Sequence, residues 1–279
     1  MKTINEYCLH LLSSPSLKEK LLPAGEELLD IKSNVVVPEK PGREKKLSFS
    51  DKKMKIPRLE HLKQADLRAI TLHHFANHEL MAIELFAYAL LKFQDIPELN
   101  RREMLKTIAD EQKHLKLYLQ RIEELGMQFG DRELNYIFWK YTPKMQTKEK
   151  FAAIMSLSFE GANLDYSLLY KETFLQYGDP ESASIMDVIY KDELKHVRRG
   201  LKIIKKEKPE DISDWDYYLS LLDYPFTPRR AKGYVFIPET RKKAGFSEDF
   251  IEKLSQYKDE FSNRKPEKIP REILDNLFL

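Results

Sequence analysis

Apolar residues recur along this chain at helical spacing, and four stretches are long enough to predict substantial helices. From Arg58 to Phe93 the pattern becomes nearly apolar on all sides after Ala76, which predicts a helix buried at the centre of a bundle. A second helix starts at Pro97 and runs to Gly126, residues suited to a helix start and stop. A third covers about 147–176. A fourth starts after Asp179-Pro180 and runs to about Lys208, so a second hairpin turns at Tyr177-Gly178-Asp179-Pro180. The connection over 127–146, with a short aromatic helix around Tyr136-Ile137-Phe138-Trp139, is long enough to let helix three run parallel to helix two.

The flanks read differently. Residues 2–32 predict two short helices broken at Ser13-Ser14-Pro15. Residues 33–57, rich in charge and containing Pro and Gly, predict an extended arm. After Ser213 a short helix is expected, then the irregular stretch DYPFTPRRAKGYVFIP, then short helices near 247–258 and 270–278. The expected architecture is all-α: N-terminal helices and arm over 1–57, a four-helix bundle over 58–208, and a C-terminal extension packed on it over 209–279.

Composition narrows the classes. The chain has 279 residues, 42% hydrophobic and 33% charged, which suits a helical core with solvated outer faces. Nine glycines argue against turn-rich β structure, and a net charge of +2 makes no case for nucleic acid. The lone cysteine, Cys8, excludes an internal disulfide and a cysteine-based cluster, and fits a reducing cytoplasm. No apolar run approaches the length of a membrane span, and the first sixteen residues read as an amphipathic helix rather than a signal peptide.

The chemistry lies in a repeat. Asp110-Glu111-Gln112-Lys113-His114 returns as Asp192-Glu193-Leu194-Lys195-His196, and each copy follows a carboxylate in an apolar run, Glu79 or Glu160. Glu at i and His at i+3 share a helix face and can reach one metal ion. Glu79 precedes Glu111 by 32 positions and Glu160 precedes Glu193 by 33. At about 1.5 Å per residue, Glu79 and Glu111 each lie roughly 20 Å from their turn, and the second pair is similarly matched in depth. The expected ligands are therefore Glu79, Glu111, His114, Glu160, Glu193 and His196, with Glu111 and Glu193 bridging. The alternative is a set of partly buried helix carboxylates paired with Lys or Arg. Four carboxylates and two imidazoles suit two iron ions, with manganese or a mixed Mn/Fe pair equally compatible.

Asp110 and Asp192 are expected to accept a hydrogen bond from the ligand His of the opposite motif, Asp110 serving His196 and Asp192 serving His114. Glu84 and Asp165 repeat a five-residue offset from Glu79 and Glu160. Five residues subtend about 140°, so they are expected beside the ligands, as outer or pocket groups flanking the O₂-binding side and as the candidate catalytic residues. Glu84 remains the alternative ligand of helix one. His73, His74 and His78 read as core or hydrogen-bonded histidines near the bundle end, with metal ligation the alternative. The basic clusters at 43–46, 52–55 and 241–243 read as solvated surface.

At these residues the chain resembles the ferritin-like di-iron carboxylate superfamily. Glu79-Leu80-Met81-Ala82 is similar to the ligand segment of bacterioferritins and rubrerythrins, which implies a ligand role for Glu79. The Asp-Glu-x-x-His motifs resemble those of ribonucleotide reductase small subunits. More narrowly, LHHFANHELMAIEL, ADEQKHLKLYLQRIEELG, YKDELKHV and Arg241-Lys242-Lys243-Ala244-Gly245-Phe246-Ser247 are similar to the uncharacterised ferritin-like DUF455 family, over most of the chain to about residue 255. The resemblance implies fold and metal but no substrate. The expected function is an O₂-activating oxidoreductase, a hydroxylase or oxidase, acting on an unknown small molecule with an unknown electron donor. The alternatives are an iron-handling ferroxidase and a non-catalytic metal-binding bundle. The superfamily includes tRNA hydroxylases, so the basic arm at 43–55 gives weak support to a tRNA partner. No membrane partner is expected, and a dimer is compatible with the sequence.

Overall fold

The computed structural model describes every residue except 26, 53, 261–266 and 279; Lys53 of the 52–55 cluster thus lies outside the described residues. Among the described residues the chain is helical, with no strand and two isolated bridges, Thr3 with Leu29 and Phe49 with Leu134. No described helix is long and apolar enough to cross a membrane. The chain divides into two compact units, one of Met1–Pro57 with Gln64–Pro143, the other of Arg58–Lys63 with Lys144–Leu279.

The first unit is built on the hairpin of α3 (Ala65–Lys92) and α4 (Glu98–Glu124). α3 buries residues around its whole circumference from Ala76 to Leu91, as its continuous apolar run predicts. It starts at Ala65 and not at Arg58, because 58–64 forms a 3₁₀ turn over Leu59–His61 that buries Leu59 and Leu62 in the other unit. α4 opens after Pro97 and closes where Gly126 takes a left-handed φ of 83°. Two short helices, α1 (Ile4–Ser13) and α2 (Leu17–Lys20), precede the hairpin; α1 packs on α3 through Ile4, Tyr7, Cys8, Leu11 and Leu12, all buried. Burial pushes the Cys8 thiol up to about 12, leaving it inert. The arm is irregular apart from a 3₁₀ turn over Lys45–Leu47, and the aromatic segment closes as a 3₁₀ turn over Trp139–Lys144.

The second unit repeats the hairpin. The third predicted helix is three pieces: α5 (Lys148–Ala152), a π-helical stretch over Ala153–Phe159, and α6 (Glu160–Gln176). At the turn Gly178 takes a φ of 72°, the Asp179 side chain accepts from the Ser182 N–H, and Pro180 opens α7 (Pro180–Glu207). α7 lies against the π stretch, where a methyl group at Gly200 would collide with Ser156. α8 (Asp214–Ser220), α9 (Pro238–Ala244), α10 (Glu248–Gln256) and α11 (Arg271–Leu277) follow. α9 falls at the end of the stretch read as irregular; its opening Pro238 and left-handed Gly245 are ordinary start and stop signals that the prolines and charges around it masked. Trp215, Tyr218, Phe246, Phe250 and Leu254 join Leu157, Val197 and Leu201 in one core.

Candidate metal centre

In the first unit, α3 presents Glu79, and α4 presents Glu111 and His114 one turn apart. The Nδ1 of His114 stands 3.6 Å from Glu79 Oε2 and 3.7 Å from Glu111 Oε2. In the second unit, Glu160 opens α6 immediately after the π stretch, and α7 presents Glu193 and His196. The Nδ1 of His196 stands 3.7 Å from Glu160 Oε1 and 3.4 Å from Glu193 Oε2. Each triad offers one atom per residue within a 4.8 Å span. The two triads are built from the same residue types in the same order, and all six residues are at most 4% exposed.

These separations exceed the 2.7–3.2 Å of an N–H···O hydrogen bond. They come close to the roughly 3.0–3.4 Å that separates two ligand atoms lying about 2.1 Å from a common ion. The second carboxylate also has an oxygen to spare: Asn163 Nδ2 donates to Glu193 Oε1 at 3.0 Å, while buried Glu193 Oε2 accepts no hydrogen bond and faces His196. Burial, reinforced by the Glu111 charge, pushes the Glu79 carboxyl well above the usual carboxylate range. Only a cation makes such a group comfortable as an anion. Carboxylate oxygens with imidazole nitrogen fit divalent iron or manganese. The π stretch leading into Glu160 is a feature that recurs at functional sites.

Asp110 and Asp192 stand beside the lysine three residues on, at 3.7 Å from Lys113 and 2.7 Å from Lys195; Asp192 is buried. Glu84 and Asp165 are fully buried and committed to cations. Glu84 receives Arg43 Nε at 3.0 Å and Nη2 at 2.8 Å, Lys20 Nζ at 3.1 Å, and the Trp139 indole N–H at 3.1 Å. Asp165 accepts both terminal nitrogens of Arg241 and the backbone N–H groups of Gly233 and Ile237, the last two at 2.9 Å. Each arginine also lies over a phenylalanine from its own segment, Arg43 at 4.1 Å from Phe49 and Arg241 at 4.8 Å from Phe236.

Lys45, Lys46, Lys242 and Lys243 are exposed, as expected of solvated surface, but Arg43 and Arg241 correct that reading for themselves, because their side chains are 3% and 1% exposed. A carboxylate in an apolar run needs a cation, and that need was legible; which distant cation supplies it was not. Asn163, Lys20 and Trp139 carried no sequence signal of their roles.

No candidate metal group among the described residues includes His73, His74 or His78. The Gly130 N–H donates to His73 Nε2 at 2.9 Å, and the His78 ring sits between His74 and Phe138. Burial lowers the imidazoles of His73 and His74 to about 4 and that of His78 well below its usual value.

Residues 12–252 match a family described as "Protein of unknown function (DUF455)". Among curated proteins, an "Uncharacterized protein" of Haemophilus influenzae is 28% identical over 141 residues, 47% of this chain and 49% of that one. The chain thus spans about half the length of the curated relative it matches. No solved structure matches it.

Proposed function

We propose, from the premise that this chain belongs to the DUF455 family, that it is a di-metal carboxylate protein of ferritin-like architecture whose work is O₂-dependent oxidation of a small molecule. The observation that carries this reading is the repeated triad: two buried Glu–Glu–His sets, each aiming a histidine Nδ1 at two carboxylate oxygens from 3.4–3.7 Å.

Glu79, Glu111 and His114 would hold one ion and Glu160, Glu193 and His196 the other. Fe(II) held by the two triads would supply the electrons for the reduction of O₂, and an electron donor would be needed to restore them. The protein's own residues set the conditions. Four carboxylates balance the charge of two divalent ions, and burial keeps bulk water from the triads. Asn163 holds Glu193 by one oxygen and leaves the other to bind. Asp110 and Asp192 serve the ligand histidines as hydrogen-bond acceptors, fixing tautomer and ring orientation. Glu84 and Asp165, already neutralised by Arg43 and Arg241, anchor the arm and the C-terminal extension to the ligand helices.

The test is anaerobic addition of Fe(II) to stripped protein, followed by metal analysis and oxygen-electrode measurement. Two equivalents per chain and Fe(II)-dependent O₂ uptake are expected. One equivalent should survive in His114→Ala and one in His196→Ala. Wild-type protein that retains no metal would overturn the reading, and a large cage on gel filtration would move it to iron storage.

A further inference from the structure

The two hairpins are copies, so each serves as an internal control for the other. An offset of 82 residues superposes the Asp-Glu-x-x-His motif of α4 on that of α7. At that offset the outward positions differ in one respect. α7 carries Lys191, Lys195, Arg198, Lys202, Lys205 and Lys206, where α4 carries Ala109, Lys113, Lys116, Gln120, Glu123 and Glu124. Six cations on one copy stand against two cations and two anions on the other. Metal binding would require the motifs to match, but it gives no reason for one outer face to be predominantly basic.

The six are exposed. The first five recur at steps of four, three, four and three residues, which keeps them on one face over roughly 21 Å at 1.5 Å per residue. The row is widened by α9: Arg198 Nη2 donates to the Lys243 carbonyl at 2.6 Å and Lys205 Nζ to the Gly245 carbonyl at 3.2 Å, which brings exposed Lys242 and Lys243 alongside. Asp187 pairs with Lys191 at 2.6 Å, Asp192 with Lys195 at 2.7 Å, and Asp214 lies 3.8 Å from Lys205. Pairs of lysines this exposed are worth little and yield readily to a stronger anion.

We infer that the outer face of α7 is a docking surface for the phosphate backbone of a nucleic-acid strand. The five cations in line are spaced about 5 Å apart at 1.5 Å per residue, so the row can meet up to about five phosphates of one strand. An anionic bilayer fits less well, because interfacial helices insert apolar side chains beside their cations, and no exposed large apolar residue of the described chain lies on α7. The contacts are to backbone charge, so binding is insensitive to base sequence.

The experiment needs no metal and no activity. Fluorescence anisotropy of a labelled 20-nucleotide single-stranded RNA is followed over a range of salt concentrations, alongside co-sedimentation with phosphatidylserine vesicles and competition by polyglutamate. Binding should weaken with salt at a log–log slope of about −3 to −4, given roughly 0.7 per phosphate contact. The triple variant Lys191→Gln, Lys195→Gln, Lys202→Gln should lose on the order of tenfold in affinity and about two units of slope. Lys106→Gln with Lys116→Gln on α4 should lose neither. The single variant Lys202→Gln, at an exposed position, should reduce the slope by somewhat less than one, which keeps the test decisive if the triple variant folds poorly. No RNA binding at low salt, an unaltered slope in the α7 variants, or a preference for vesicles or polyglutamate would overturn the inference.

Discussion

Arg241 grips both carboxylate oxygens of Asp165, its Nη2 lying 2.8 Å from Oδ2, with both side chains at most 1% exposed. Burial raises the Asp165 carboxyl above its ordinary value, and Arg241 opposes that shift without cancelling it. Removing one partner leaves a buried charge uncompensated. Arg241→Met should therefore cost about 3–5 kcal/mol, read from urea unfolding, while Arg241→Met with Asp165→Asn should recover more than half of the loss. Equal losses in the single and double variants would show that packing, and not charge, makes the pair important.

In the proposed centre the motif aspartates should act on metal affinity and not on the fold. Asp110→Ala and Asp192→Ala should each weaken Fe(II) binding about 10- to 100-fold, measured by competition with a chelating indicator, with thermal melting of the stripped protein little changed. Unchanged affinity would remove both residues from the proposed centre.

Metal binding should also release protons. Glu79 is held above the ordinary carboxylate range in the metal-free chain, so it keeps its proton at pH values where a free carboxyl is ionised. A cation needs the ionised form, so apparent affinity rises with pH and a weakly buffered dye should report acidification on Fe(II) addition. Glu79→Gln should lessen that release.

Burial holds His74 at about 4, against roughly 6.5 in the unfolded chain. The unfolded state then binds more protons between those values, so stability falls as pH drops from about 6.5 to 4 and changes little below that through this group. The contribution is on the order of 3 kcal/mol at its upper bound. Asp187 and Asp223, whose carboxyls are held below the usual range by hydrogen bonds from Lys171 and Lys150, lose stability in the same direction, so the test is a difference: the pH dependence of the urea midpoint should be shallower in His74→Asn than in wild type. Parallel curves would show that His74 does not titrate in this window.

Gly200 lies where α7 meets the π stretch, and a methyl group there would collide with Ser156. Gly200→Ala should cost about 1–3 kcal/mol, and Ser156→Gly in the same chain should relieve most of it, both read from thermal melts. Failure of the second change to help would place the strain elsewhere.

Much of the architecture was legible because its causes are local. The Pro97 start, the Gly178-Asp179-Pro180 turn and the Ser213 cap each act within a few residues, and the structure bears them out. The i,i+3 spacing of Glu111 with His114 and of Glu193 with His196 is likewise a property of any helix, so each motif's shared face needed no tertiary information. The start of α3 at Ala65, the π stretch before Glu160 and the helix α9 were not legible, since each depends on what the segment packs against.

By itself the sequence determined two helical hairpins and a Glu–x–x–His face on each, because helical periodicity and turn chemistry are short-range effects. Only the tertiary structure decided how Glu84 and Asp165 are neutralised. It brought Arg43 across 41 residues and Arg241 across 76, turning one arginine of each apparent surface cluster into a buried anchor. The physical reason is that a buried carboxylate demands a cation without specifying where in the chain it comes from; the packing of the whole unit makes that choice.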